Sequence, residues 1–331
     1  MKSISLAEPG KFEQKNIEAP GEPGEDEALI KIHKIGICGT DYHAYRGKQP
    51  FFSYPRILGH ELGVEVVALG AHVKHLKVGD KCSVEPYLNC GSCMACKNGK
   101  SNCCEKMRVL GVHVDGGMSE FIKVPASKLH TSAILNYEEL ALVETLGIGC
   151  HAVNRAEIKT GQKVLVIGAG PIGLSVLEFA MIKGAQTTIM DLNTDRLAFC
   201  KKYNKAHEFI QADAIPEGLE SAFEVVFDAT GNPHSMKNAF KYVGHGGKLV
   251  FVGLFQGDYA FPDPEFHRKE MSILASRNSL PADFTYIIEQ LEQKKIDVQS
   301  WISREIPFEE VITAFDGLLT DQTLVKAVIT V

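Results

Sequence analysis

The densest chemistry in the sequence is a run of thiols: Cys90, Cys93 and Cys96 at three-residue intervals, then the adjacent pair Cys103 and Cys104 one loop later. A turn with this spacing aims thiolates at one point without strain, and four thiolates complete the tetrahedral shell of a structural zinc. Such a metal has no open position for a substrate, so it would support a lobe rather than do chemistry. Spacing gives Cys103 and Cys104 equal claim to the fourth place. A redox pair or a set of buried free thiols is the plainer reading.

A second constellation is the glycine pattern Gly168, Gly170 and Gly173, directly after the apolar run from Val164 to Ile167 and directly before a helix-like stretch from Leu174 to Lys183. In that context Gly168 permits a tight turn, Gly170 lets backbone approach a pyrophosphate, and Gly173 lets a helix pack closely with its amino end toward the phosphates. The next strand ends in Asp191, at the interval expected for the acid that accepts hydrogen bonds from the adenosine ribose. A carboxylate there repels a 2′-phosphate, which favours NAD over NADP. Arg196 lies against the adenine or ribose, or is a solvated helix charge. Pro171, Ile172, Thr230, Val252 and Gly253 complete the candidate cofactor positions.

Two further phrases place Cys38, Thr40 and His43 in one segment, and His60 and Glu61 after Gly59 in another. A thiolate and an imidazole this far apart can meet in space, but nothing local requires it.

These groups need elements to hold them. Alternating apolar and polar residues from Ala28 to Ile35, with short runs at Gly63 to Leu69, Lys81 to Val84 and Phe121 to Val124, predict a strand-rich first part dense in glycine and turns. Beyond Asn136 the apolar stretch Glu138 to Val153 predicts a helix. Candidate strands then alternate with helix-length segments: Lys163 to Ile167, Gln186 to Asp191, Glu208 to Ile210, Val225 to Ala229 and Lys248 to Val252. That alternation predicts a doubly wound parallel sheet over about 153–274 and an α/β fold class. The tail carries helix candidates at Ala282 to Lys294 and Phe308 to Leu319, and a strand from Lys326 to Val331. No internal repeat is visible.

Bulk properties narrow the partners. The 331 residues suit two domains, with 45% hydrophobic and 23% charged residues as in ordinary globular proteins. A net charge of −6 argues against general nucleic-acid binding and for a small-molecule partner. Met1 to Pro9 lacks the apolar run of a secretory signal, and no stretch approaches the ~18 apolar residues of a membrane span. A soluble, cytoplasmic protein with no membrane partner is expected, and the five of its nine cysteines that cluster between Cys90 and Cys104 then read as metal ligands before disulfides.

The two phrases, the cysteine cluster, the segment Asp115, Gly116, Gly117, Glu120 and Phe121, and the glycine pattern stand in the order found in zinc-dependent medium-chain dehydrogenases. The chain resembles that family over essentially its whole length. Within it, the chain looks most like the polyol, threonine and sugar-acid branch, which resembles sorbitol dehydrogenase, rather than the ethanol enzymes. The resemblance implies a strand-rich GroES-like catalytic domain at 1–152, a Rossmann NAD-binding domain at 153–274, and a segment at 275–331 that returns to complete the first.

It also implies two zinc ions per chain. Cys38 and His60 correspond to ligands of the catalytic zinc and Glu61 to a carboxylate beside or on it; the structural zinc falls to Cys90, Cys93, Cys96 and Cys104, leaving Cys103 spare. Where the ethanol enzymes have a third cysteine ligand, this chain has Glu144, in a phrase resembling Glu-Pro-Leu with Thr145 in place of proline. Glu144 is therefore expected as ligand, or as a carboxylate holding the metal-bound water, with Cys150 a rival. An open-sited zinc is a Lewis acid that lowers the pKa of a bound hydroxyl, so that the alkoxide carbon can release hydride to the nicotinamide. Thr40 looks like the first member of a proton relay running through the cofactor ribose to His43. Arg277 falls where the branch places an arginine near cofactor and substrate, and could grip a carboxylate or hydroxyls; an ordinary strand-end arginine is the other reading.

The implied activity is hydride transfer between NAD and a secondary alcohol, a polyol or sugar acid, by a homodimer or homotetramer. A zinc-free quinone or enoyl reductase on the same fold would lack Cys38, His60 and Glu144. A non-catalytic zinc scaffold would keep the fold without turnover.

Overall fold

The run of alternating residues that begins at Glu27 forms the central strand of one sheet. In the computed structural model, which describes residues 1–50 and 52–331, the chain divides into two units, Met1–Glu144 with Leu280–Val331, and Thr145–Ser279. In the first unit, Glu27–Gly36 pairs antiparallel along one edge with Glu61–Leu69. Its other edge is shared: the amino-terminal half pairs with Phe121–Pro125, and Lys34 to Gly36 pair with the Lys326–Thr330 strand. Lys81–Val84 and Leu129–Thr131 extend the sheet at one end, and Ile302–Pro307 at the other. Ile30, Ile32, Ile35, Leu62, Val64 and Val66 are fully buried in its core. Burying period-two apolar positions on such a face is what drives the sheet together.

The second unit is a six-stranded parallel sheet. Its spatial order is Glu208–Gln211, Gln186–Asp191, Lys163–Ile167, Phe223–Asp228, Val243–Phe251, Ser272–Ala275. Counted along the chain this is the order 3-2-1-4-5-6 of a Rossmann sheet, whose ligands bind at the carboxyl ends beside the reversal. The glycine turn follows Lys163–Ile167, one of the two strands at that reversal.

Several elements differ from expectation. The apolar stretch from Glu138 to Val153 is two helices, Tyr137–Ala141 and Val143–Ala156. Asn136 and Glu139 cap the first reciprocally, and Leu142, with ψ near −1°, ends it. The boundary between units lies inside the second helix, eight residues before the expected 152, because its later turns pack on the Rossmann side: the Ser175 hydroxyl donates to the Leu146 carbonyl at 2.8 Å and accepts from the Gly149 amide at 3.1 Å. The far boundary follows Ser279 rather than 274, since the Ser276 amide still donates to the Phe251 carbonyl at 2.9 Å. The hairpin of Lys2–Glu8 and Lys11–Asn16, and the Ile302–Pro307 strand, were not expected at all. Among the described residues no helix is long and apolar enough to cross a membrane.

Candidate metal centre and cofactor turn

Strand register brings the first site together. Gly36 faces Glu61 across the central pair, so Cys38, two residues beyond the strand end, arrives beside His60 and Glu61 at the start of the neighbouring strand. A Cβ on Gly36 would lie 2.0 Å from the Glu61 Oε2, which is why glycine stands there. Cys38 then opens the helix Gly39–Tyr45, and its amide donates to the Asp41 carboxylate at 2.9 Å. Ligand atoms of Cys38, His60 and Glu61 lie within 4.8 Å of one another, and His60 and Glu61 are buried.

The charges around this group are unbalanced. Cys38, Asp41, Glu61 and Glu144 supply four acidic groups, against the His60 imidazole and the ammonium of Lys326, which is buried and 2.5 Å from both oxygens of Glu61. Burial raises the Glu144 and Asp41 carboxyls above the usual range, with His60 acting against it on each. Burial also pulls the His60 imidazole down, but Cys38 and Asp41 outweigh it and lift its proton affinity well above the ordinary value. The His60 Nδ1 and the Asp41 Oδ1, 3.8 Å apart, are both buried without a hydrogen-bond partner. A pocket that draws a proton onto a buried histidine is one a cation can occupy, so the donor set fits a metal ion.

The structure does not bring Glu144 into that trio. The carboxylate accepts a hydrogen bond from the Tyr87 hydroxyl and stands close enough to interact electrostatically with His60 and Glu61. Cys150 is buried in its helix and accepts from Asn154 at 3.6 Å. Thr40 and His43 lie three residues apart on the short helix, Thr40 half-buried and His43 exposed; burial, Arg46 and Lys48 hold the His43 pKa below its ordinary value. Sequence reasoning missed Lys326 and Asp41. Lys326 lies 265 positions from Glu61, so only folding reveals the pair. Asp41, three residues after Cys38, had a local signal as a residue that could close a turn.

The second group is Cys90, Cys93, Cys96 and Cys104, also within 4.8 Å of one another, while Cys103 is exposed outside it. Left-handed turns at Gly91 and Gly99, each at φ +70°, curl the loop around the sulfurs. Cys90 accepts from the Cys93 amide at 3.4 Å, and Cys104 from the Cys90 amide at 3.2 Å. Donation from Ser92, backbone first, and from Cys93 pulls the Cys90 thiol down to about 6. The set fits a four-thiolate zinc.

In the Rossmann unit, Gly168 sits at φ +102°, and a Cβ on Gly173 would come 1.7 Å from the Gly168 carbonyl oxygen. Gly170 caps the helix Pro171–Ile182, with Pro171 and Ile172 in its first turn. Asp191 ends its strand and accepts from the Ala169 amide at 2.5 Å and the Asn193 amide at 2.7 Å, so it braces the turn as well as facing it. Arg196 lies over the turn, its Nη1 3.7 Å from where a Gly170 Cβ would stand and its Nε buried without a partner.

Thr230, Val252 and Gly253 gather around Asp228, a buried acid absent from the sequence-derived set. Thr230 donates to its carboxylate through amide and hydroxyl at 2.9 and 2.6 Å, and the Val252 and Gly253 amides donate to its carbonyl at 2.9 and 3.0 Å. Arg277 is exposed, beyond the Ser272–Ala275 edge strand.

A family model for the alcohol dehydrogenase GroES-like domain matches residues 24–135, and one for zinc-binding dehydrogenases matches residues 171–293. An L-galactonate-5-dehydrogenase of Escherichia coli K12 is 42% identical over 315 residues, covering 93% of each chain. The chain belongs to the zinc-dependent medium-chain alcohol dehydrogenases, in the polyol and sugar-acid branch. It is an alcohol oxidoreductase of that family. Among solved structures, the alcohol dehydrogenase RspB of Escherichia coli CFT073, complexed with NADH, superposes at a TM-score of 0.93 with 29% identity over 100% of this chain and 99% of that one. A candidate zinc-binding dehydrogenase of Sinorhizobium meliloti 1021, bound to NADP, superposes at 0.90 with 26% identity over 100% and 99%.

Proposed function

We propose that the chain oxidises a secondary hydroxyl of a sugar acid or polyol with NAD, using one zinc at Cys38, His60 and Glu144 and a second at the four cysteines. The observation that carries this reading is the buried cluster of acids around Cys38 and His60: the Lys326 ammonium lies directly against Glu61, whereas Glu144 accepts from the Tyr87 hydroxyl and feels His60 and Lys326 only electrostatically. A dication would balance such a cluster of acids, with Glu144 as a ligand or holding a bound water. When bound, an open-sited zinc polarises a substrate hydroxyl.

The chain's own residues do the rest. Thr40 would be the first group to pass the hydroxyl proton and His43, exposed on the same short helix, the group that takes it to solvent. Gly168, Gly170 and Gly173 leave the turn open for a pyrophosphate, and Asp191 at its strand end would accept from the ribose hydroxyls and repel a 2′-phosphate. Arg277 would meet a carboxylate, in keeping with the sugar-acid name of the 42% identical relative. The working form is a homodimer or homotetramer.

The test combines metal analysis with a substrate screen. Two zinc ions per chain, with reduction of NAD faster than NADP on aldonates and polyols, is the expected result. One zinc and no turnover on any aldonate, polyol, threonine or simple alcohol would refute the reading.

A further inference from the structure

A chain of polar side chains in the first unit runs from the sheet to the cysteine loop and takes no part in the chemistry above. Glu85 is buried and accepts from the Lys128 ammonium and, at 3.3 Å, from His130, whose ring stacks on Phe284 with centroids 4.8 Å apart. Lys128, also buried, donates to the Asn89 Oδ1 at 2.8 Å. The Asn89 Nδ2 in turn donates to the Cys96 sulfur at 3.7 Å.

The order of these contacts fixes a direction. An ammonium has donors and no acceptor, so the amide oxygen must face Lys128 and the NH2 group must face the sulfur. Flipping the amide would oppose two donors at one end and leave an acceptor against a thiolate at the other. A buried Lys–Glu pair contributes little net stability compared with apolar residues of the same size, so its use here is better accounted for by orientation.

We propose that Asn89 is a positioning residue for the four-thiol metal site, its amide locked by Lys128 and Glu85 so that it donates to Cys96. The inference rests on the reading that these thiols hold zinc. Four thiolates leave a zinc site with excess negative charge, and N–H···S donation disperses it. Amide donors reach Cys90 and Cys104 from within the loop itself. Asn89 differs in tying its sulfur to the sheet, so the lobe's metal and the lobe's attachment share one contact.

The experiment measures zinc transfer from the intact protein to a chromophoric chelator, with alkylation and mass spectrometry showing which cysteines are uncovered. Asn89→Leu should release zinc from Cys90, Cys93, Cys96 and Cys104 about tenfold faster than the parent, and Asn89→Asp faster still because a carboxylate then faces the thiolate. The paired variant Glu85→Gln/Lys128→Met, which frees the amide without stranding a charge, should also accelerate release. With cobalt in a Cys38→Ser background, Asn89→Leu should move the sulfur-to-metal charge-transfer band to lower energy, a change that loosened packing alone would not make. Release rates and band position equal to the parent's in Asn89→Leu would overturn the inference. If instead the parent's four thiols alkylate as fast as in denatured protein, the zinc reading beneath it fails.

Discussion

Lys326 shows how much a single side chain carries at this site. It is buried against a buried carboxylate, and removing one partner of such a pair strands the other charge. Lys326→Met should therefore cost about 3–5 kcal/mol in denaturant unfolding, and Lys326→Met/Glu61→Gln should recover most of that loss. Equal destabilisation in both variants would mean that Lys326 acts through packing alone. Asp191 makes a different prediction, because its oxygens already accept two backbone amides. Asp191→Ser should weaken NAD binding much more than NADP binding and lower stability modestly by loosening the turn; equal losses for the two cofactors, measured by titration, would remove Asp191 as the discriminating group. Residue chemistry was legible where it was local. The cysteine cluster and the three glycines each fall within a short stretch, so spacing and context found both, although the choice of Cys104 over Cys103 came from the family resemblance. Cys38 and His60 stand in separate segments joined by strand register, and they were found through family resemblance. Lys326 and Asp228 gave no sign, since nothing in a sequence distinguishes a buried lysine or aspartate from a solvated one.

Elements that place these residues are most sharply constrained at the glycine turn. The Pro171–Ile182 helix packs so closely on the strand before it that a methyl group at Gly173 would overlap the Gly168 carbonyl. Gly173→Ala should cost about 1–3 kcal/mol from overpacking, lower the melting temperature, and weaken NADH binding about tenfold or more as the helix amino end moves off the phosphates. Undiminished NADH binding would show that the turn adjusts without moving its amides. Five of the six strands of the parallel sheet were readable, most plainly Lys163–Ile167 as an apolar run, whereas the edge strand Ser272–Ala275 was not expected. The Val243–Phe251 strand was expected to begin only at Lys248, because His245, Gly246 and Gly247 carry neither apolar pattern nor strand preference. The apolar pattern from Glu138 to Val153 is continuous because both halves are apolar, and the break at Leu142 is a change of backbone angle that hydrophobic pattern does not encode.

At the scale of the molecule, both metal groups belong to the first unit and the cofactor turn to the second. Trp301, the single tryptophan, is fully buried and belongs to the first unit. Stripping zinc with a chelator should abolish turnover and lower the unfolding midpoint seen by tryptophan fluorescence, while NADH binding persists. Loss of NADH affinity in step with zinc would show that the metals support both units. The first unit is also assembled from two stretches of chain, with residues 145–279 forming the second between them. On a ribosome the Rossmann sheet has all its strands before the Lys326–Thr330 strand exists, whereas the sheet of the first unit still lacks that strand beside Gly36 and the ammonium that faces Glu61. The metal pocket thus gains its ammonium only after the whole Rossmann sheet has been made, and a nascent chain stalled short of Lys326 would present Cys38, His60 and Glu61 without the cation that faces Glu61.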